Sequence, residues 1–305
     1  MAPKVPEITL SDGNKVPALG LGTWQGTNNP REVEDAVKLA IDAGYRHFDC
    51  ASVYGNETEI GRAIRDKIKE GVVRREDLYV VTKLWNDEHA QKCVASACRR
   101  SLKKLGLKYL DLYLVHWPFS HPDEIDFVET WHGMEQCAEL GLTRSIGVSN
   151  FNSEQLTRLL DAASIKPVMN QIEVHINLNQ KKLREFCSSK GIAITAYSPF
   201  GAPGRNSIFQ PPGDEVDLHT ETVSKIAKKY SKTNAQVALR YLIDIGTIPI
   251  PKSSSEKRIR ENIDIFDFKL TPEEIAAIDK LDTGFRTCTA DEFRDSKEYP
   301  FKLEY

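Results

Sequence analysis

An α/β fold, with eight parallel strands closed into a (β/α)8 TIM barrel as a single domain over residues 1–305, is what three features of the sequence predict. Short apolar or β-branched runs alternate with amphipathic helical stretches, which implies parallel strands joined by helical crossovers. The runs number eight and are apolar along their length, as in a sheet buried on both faces. No Pro/Gly/Ser-rich linker divides the chain, whereas an open doubly wound sheet usually divides after about five or six strands.

The elements follow in order. Near the start, ITLSDGNKVP places Asp12-Gly13 between two short extended runs, the signal of a β-hairpin. Barrel strands are predicted at 18–22, 47–51, 79–84, 110–116, 145–150, 168–174, 193–199 and 247–252. Between them apolar residues recur at helical spacing, as in Val33, Val37, Ala40 and Ile41, or Ile60, Ala63, Ile64 and Ile68. Two stretches break the rhythm. The Gly- and Pro-rich segment 201–217 is too long for an ordinary connection. The tail 282–305 follows a helix that Thr271 caps ahead of Pro272. Both are predicted to be lids, so extra helices and long loops are expected at the C-terminal side of the barrel.

Composition narrows the function. With 40% hydrophobic and 28% charged residues the chain can bury a large core and is not a disordered sequence. A net charge of -3 provides no basic field for nucleic acid or an anionic membrane. The start lacks an apolar leader and no apolar run approaches the length of a membrane span, so a cytoplasmic protein without a membrane partner is expected. Six cysteines (50, 93, 98, 137, 187 and 288) without a C-x-x-C pair read as reduced thiols rather than a disulfide scaffold or zinc site. Most are expected to be buried; Cys288, in a polar stretch, is the one expected to be reactive.

A barrel of this kind carries its active site at the C-terminal ends of the strands. There the sequence places Asp49, Lys83, His116, Ser149, Asn150, Gln171, Tyr197, Ser198, Lys252 and Ser253. Each alone has a plain structural reading: a capping aspartate, a solvated lysine, a satisfied histidine. Likewise Trp24, Trp85 and Trp117 would singly be core, but all three at or just past strand ends describe an aromatic-lined cavity. The chemistry lies in the combination. A tyrosine hydroxyl with a pKa of about 10 is a poor acid at neutral pH until a cation stabilises its phenolate. Lys83 supplies that cation for Tyr54, Asp49 keeps the buried ammonium charged, and His116 orients a substrate oxygen. A carbonyl protonated at oxygen requires an electron pair at carbon, so a hydride donor is implied.

In these residues, and in GYRHFDCASVYGNE, TKLW, LYLVHWP, IGVSNF, NQIEVH, AYSPFG and IPKSSSEKRIRENI, the chain resembles the aldo-keto reductase family from LGLGTW to YPF. Within that family it is similar to the aldose-reductase-like members, and to insect reductases such as 3-dehydroecdysone reductase. The resemblance implies an NADP(H)-dependent oxidoreductase acting on a small-molecule carbonyl substrate, as a monomer. It implies a catalytic tetrad of Asp49, Tyr54, Lys83 and His116, with Tyr54 the acid for reduction. Tyr197 would stack on the nicotinamide, while Ser149, Asn150 and Gln171 hold its carboxamide. Gly22, Thr23, Trp24, Asp49, Ser198 and Phe200 would line the cofactor, and Lys252, Ser253, Arg258 and Asn262 match family positions around the 2′-phosphate. The residues themselves agree: Lys252, Ser253, Ser254 and Arg258 set cations and hydroxyls around a helix start. GLGTWQG, by contrast, has the wrong spacing for a Rossmann fingerprint. The substrate pocket would comprise Trp24, Val53, Tyr54, Trp85, His116, Trp117 and Cys288.

Two departures from the family pattern matter. The serine and aspartate that fasten the loop over the pyrophosphate are Ala202 and Gly204, and their lysine partner is Gln25, which implies weaker loop closure and faster NADP release. The connection 118–130 is short, so the pocket is expected to open on one side and admit steroid ketones, ecdysteroids among them, or long-chain aldehydes. Two rival readings fit the sequence less well. A metal-dependent hydrolase would use His116, His175 and Asp49, but lacks the His-x-His of the first strand. A non-catalytic NADP-binding barrel is opposed by the intact tetrad.

Overall fold

The structure, a computed structural model, describes residues 5–24, 29–201 and 216–303. Gln25, Ala202 and Gly204, on which the reading of loop closure rests, lie outside the described residues. Strands β3 (Leu21–Gly22), β4 (His47–Asp49), β5 (Tyr79–Leu84), β6 (Leu110–Val115), β7 (Thr143–Ser149), β8 (Met169–Glu173), β9 (Ala193–Tyr197) and β10 (Thr247–Pro249) form one sheet in sequential order. All seven neighbouring pairs are parallel. The sheet closes on itself where Gly20 N donates to Pro249 O (3.0 Å), Gly22 N donates to Pro251 O (3.1 Å) and Gly22 bridges Lys252. Pro249 and Pro251 have no N–H to return, so this seam carries half its bonds. For that reason the first and last strands are shorter than the predicted 18–22 and 247–252. Only glycine fits the seam, since a Cβ at Gly22 would lie 2.7 Å from Ile250 O.

Ten helices among the described residues surround the sheet. They are α1 (Pro30–Ala43), α2 (Glu57–Lys69), α3 (Gln91–Leu105), α4 (Phe127–Glu139), α5 (Ser153–Ala162), α6 (Lys181–Ser189), α7 (Glu221–Tyr230), α8 (Asn234–Asp244), α9 (Glu256–Ile263) and α10 (Pro272–Asp279). Their apolar stripes, such as Val33, Val37, Ala40 and Ile41 on α1, pack on outward strand residues including Phe48, Val80, Tyr113, Val148 and Ile194. Thr271 caps α10 from a capping box with Glu274, as its sequence requires. No described helix is long and apolar enough to cross a membrane.

Inward residues follow the strand period of two, which gives each strand a column. Val81 and Tyr79 stand below Lys83, Leu114 and Leu112 below His116, and Met169 below Gln171 and Glu173. The lower layers form an apolar cluster that Leu10 and Val16 join. Those two belong to the hairpin β1 (Glu7–Thr9) and β2 (Lys15–Pro17), which plugs the N-terminal end of the barrel. Its turn places Gly13 at φ +86°, a backbone position suited to glycine. Asp49, Lys83 and His116 thus stand in the upper layers and face one mouth.

Two enclosed histidines make this packing pH-sensitive. His47 sits below Asp49, edge-on to Tyr79, and its burial lowers its pKa to about 4. Burial lowers His89 to about 3. Both are neutral in the fold, whereas in the unfolded chain each takes a proton below about pH 6.5. Between about pH 6.5 and 4 the unfolded state binds more protons, so stability rises with pH through that window and is complete above it. We expect the urea midpoint to fall between about pH 7 and about pH 5, each histidine adding a slope approaching about 1.4 kcal/mol per pH unit. A flat profile over that range would contradict it.

Candidate active site

The upper layer of the barrel gathers Asp49, Tyr54, Lys83 and His116 at one mouth. Asp49 ends β4, and a short 3-10 turn, Ser52–Tyr54, carries the phenol back over the strand ends. Lys83 is fully buried. Its ammonium donates to Asp49 Oδ1 (2.5 Å), to Cys50 O (2.8 Å) and to the Tyr54 hydroxyl (3.5 Å). Burial is the largest single influence on it and pushes its pKa down. The charge of Asp49 leads the opposing effects, and together they leave the pKa raised. Lys83 is therefore a cation at neutral pH.

Asp49 is itself fixed on several sides. Gln171 Nε2 donates to its Oδ2 from across the barrel (2.7 Å), and its carbonyl accepts from Thr23 N (3.1 Å) and Thr23 Oγ1 (2.8 Å). Asn56 in turn holds Thr23 O at 2.8 Å, and Ser52 Oγ holds Lys83 O at 3.0 Å. Neither Asn56 nor Ser52 was legible as part of the site, because each acts on a backbone carbonyl rather than on a motif side chain.

His116 follows β6, half-buried, with its ring edge-on to Tyr54 (centroids 5.9 Å) and to Trp85 (5.1 Å). Its pKa lies well below the usual histidine value, first through burial and then through the Lys83 cation. A neutral imidazole at neutral pH results. Behind it, Asn150 Nδ2 donates to His116 O (3.0 Å) and to Ser149 Oγ (3.1 Å), while Tyr197 OH donates to Asn150 Oδ1 (2.8 Å). Ser149 Oγ donates to Gln171 O (2.8 Å). Ser149, Asn150, Gln171 and Tyr197 therefore form one hydrogen-bonded arc around the mouth. Asn150 (φ +63°) and Ser198 (φ +48°) hold left-handed backbone at the tops of β7 and β9, the kind of strain that gathers at functional sites.

The remaining predicted residues fall into two groups. Gly22, Thr23 and Trp24 stand where the barrel seam closes, beside Lys252. Lys252 and Arg258 are exposed, Ser254 is half-buried, and Ser253 and Asn262 are buried around the start of α9. Phe200 packs against the main core beyond Ser198. On the opposite side, Val53 is exposed at the lip, Trp85 is half-buried and Trp117 is buried among Phe119, Tyr299, Phe301 and Cys288. Trp117 stacks on Phe119 at 5.4 Å.

One expectation fails. Cys288 is buried, whereas Cys93 is half-buried and the most accessible of the six thiols. The sequence around Cys288 is polar, but Thr287 is buried beside it, and both the Thr287 and Cys288 amides are tied to Glu173 inside the barrel mouth (2.6 and 2.9 Å). His175, a candidate metal ligand, is turned to Glu173 at 2.9 Å. Among the described residues no three His, Cys, Asp or Glu side chains are grouped to hold a metal. Glu173 was missed by sequence reading, although its place two residues above Gln171 in an inward column was a usable signal.

Comparison with known proteins agrees with this geometry. The model of the aldo/keto reductase family matches residues 18–283. Aldo-keto reductase AKR2E4 of Bombyx mori is 49% identical over 310 residues, spanning 98% of this chain and 100% of the relative. Human aldo-keto reductase family 1 member C2 is 42% identical, spanning 98% of each chain. The crystal structure of the Bombyx mori AKR2E4 protein in complex with NADP superposes with a TM-score of 0.93 at 48% identity, covering 98% of this chain and all of that one (100%). With a family match over most of its length and relatives this similar end to end, the chain belongs to the aldo/keto reductase family.

Proposed function

We propose that this protein catalyses the reversible, NADPH-dependent reduction of aldehydes and ketones to alcohols, with Tyr54 as the general acid. One observation carries the reading: a buried lysine held between a carboxylate and a phenol, Asp49, Lys83 and Tyr54, at the mouth of the barrel. The Lys83 ammonium stabilises a developing phenolate, so Tyr54 can give its proton to a carbonyl oxygen and take it back in the reverse direction. Neutral His116 serves better as a hydrogen-bonding partner that orients the oxygen than as an acid. No nucleophile with an adjacent base is needed.

The residues present fit the cofactor. Ser255 makes no side-chain cap at the start of α9, so that helix end keeps backbone donors for an anion, with Lys252 and Arg258 exposed beside it. We assign Lys252, Ser253, Ser254, Arg258 and Asn262 to the 2′-phosphate end. Tyr197 and the arc of Ser149, Asn150 and Gln171 are assigned to the nicotinamide and its carboxamide, and Gly22, Thr23, Trp24, Ser198 and Phe200 to the rest of the cofactor wall. When bound, NADPH supplies the hydride at the carbonyl carbon. The protein's own part is to hold the carbonyl between Tyr54 and His116 and to line its far side with Trp24, Val53, Trp85, Trp117 and Cys288. That apolar, aromatic lining suits bulky carbonyls, steroid and ecdysteroid ketones or long-chain aldehydes, acted on by a cytoplasmic monomer.

Tyr54→Phe should lower the turnover of an aromatic aldehyde, read as loss of NADPH absorbance, by about 10²–10⁴-fold while NADPH affinity stays near wild type. Undiminished turnover would remove Tyr54 from the mechanism. NADPH binding with no turnover by the wild type over a broad carbonyl panel would favour a non-catalytic barrel.

The phosphate assignment makes a separate prediction. Arg258→Ala should weaken NADPH by about 1.5–3 kcal/mol, the size of a charge-assisted bond, and leave NADH nearly unchanged in fluorescence titrations. Equal losses for the two cofactors would place Arg258 elsewhere.

A further inference from the structure

Outside the tetrad the barrel mouth holds a second carboxylate, Glu173, the last residue of β8 and fully buried. Four donors converge on it. Its Oε1 accepts from Thr287 N (2.6 Å), Thr287 Oγ1 (2.7 Å) and His175 Nε2 (2.9 Å), and its Oε2 accepts from Cys288 N (2.9 Å). Asn177 N donates to His175 Nδ1 (3.3 Å), which leaves the ring proton on Nε2, facing the carboxylate. Three of the four donors belong to the C-terminal tail, more than a hundred residues further along the chain. The loop after β8 extends the grip: Asn177 O accepts from Thr283 N (3.1 Å) and Phe285 N (3.2 Å), and Asn177 Nδ2 donates to Leu281 O (2.7 Å).

What this grip places is the wall of the pocket. Cys288 and Ala290 lie in one buried cluster with Trp117, Phe119 and Tyr299, against which Trp85, Tyr197 and Phe301 pack. Arg286, the residue before Thr287, lies 3.8 Å over the Phe301 ring. Glu173 is also the register partner of Tyr197 on the adjacent strand. We propose that Glu173 is a positioning residue for substrate specificity: it anchors tail residues 286–290 to the barrel and so sets the wall that a bulky carbonyl meets. This rests on the reading of the mouth as a carbonyl pocket.

Burial works to raise the Glu173 pKa. The hydrogen bond from His175, the Arg286 charge and the Thr287 amide oppose it and hold the value low, at about 2, so the acceptor is ionised at neutral pH. A second anchor grips a later part of the tail from α5, where Asn152 Nδ2 donates to Pro300 O (3.0 Å) and Arg158 pairs with Glu298 (3.0 Å). Releasing Glu173 therefore loosens 286–288, while Tyr299 OH still holds Thr289 O (2.6 Å) and the later tail stays attached.

The test is Glu173→Gln, which keeps the shape but turns an NH₂ toward at least one of four donors. Alkylation of Cys288 by iodoacetamide, followed by peptide mass spectrometry, should accelerate about tenfold or more while Cys93 is unchanged. In steady-state kinetics KM for a steroid ketone should rise about tenfold, while kcat, KM for propanal and NADPH affinity stay within about twofold, the pattern of lost uniform binding. Thr287→Val, which removes one donor from the tail side, should shift the same readouts less and decides the matter if Glu173→Gln fails to fold. Arg158→Ala should leave Cys288 labelling at the wild-type rate. Unchanged Cys288 labelling in both Glu173→Gln and Thr287→Val, or KM values rising alike for propanal and the ketone, would overturn the proposal. If the wild type turned over no carbonyl, the functional reading would fall, and the labelling rates would still decide whether Glu173 holds the tail.

Discussion

A single cation removed from water organises the upper half of this barrel. Taking an ammonium into a protein interior costs several kcal/mol, and the cost is offset only by close, well-aligned partners. Lys83 has them in Asp49, Cys50 O and Tyr54. Asp49 is in turn tied to Gln171 on β8 and to Thr23 just past β3, so residues from four strands around the barrel serve to hold one charge. The arrangement ties stability to chemistry. One partner that offsets part of the buried charge is Tyr54, the phenol proposed as the general acid.

The barrel can carry such a site because its columns divide the work. An inward column changes character every second residue without disturbing the outward face, which meets the helices. Tyr79 and Val81 are apolar and pack with the hairpin, and one pleat higher Lys83 is charged. Neighbouring residues on the same strand, Val80 and Leu84, belong to the sheet-to-helix core. A polar upper layer is thus added to the end of an apolar plug on the same strands.

That alternation is why most of the fold and the tetrad were legible in the sequence. Eight apolar runs with one polar residue near each end announce both the strands and the mouth, and Asp12-Gly13 and Thr271-Pro272 are local signals that need no tertiary context. Strand limits at the seam were not legible, because Pro249 and Pro251 delete hydrogen bonds to a strand more than two hundred residues earlier. Cys288 was misjudged for a related reason. Local polarity describes the neighbours of a residue, whereas its burial here is decided by Glu173, 115 residues away.

The two carboxylates at the mouth then separate what is fixed from what can vary. Asp49 acts through Lys83 on a phenol set by strand ends and a short turn, all of it within the closed sheet. Glu173 acts on a tail that forms no strand of that sheet and reaches the mouth only through side-chain and amide bonds. A change in residues 286–290 can therefore reshape this wall of the mouth without moving Asp49, Lys83 or Tyr54, the groups proposed to carry the chemistry. Fold alone implies no particular substrate. In this barrel the reason is concrete: the atoms proposed to do the chemistry and those proposed to bound the pocket are held by different anchors.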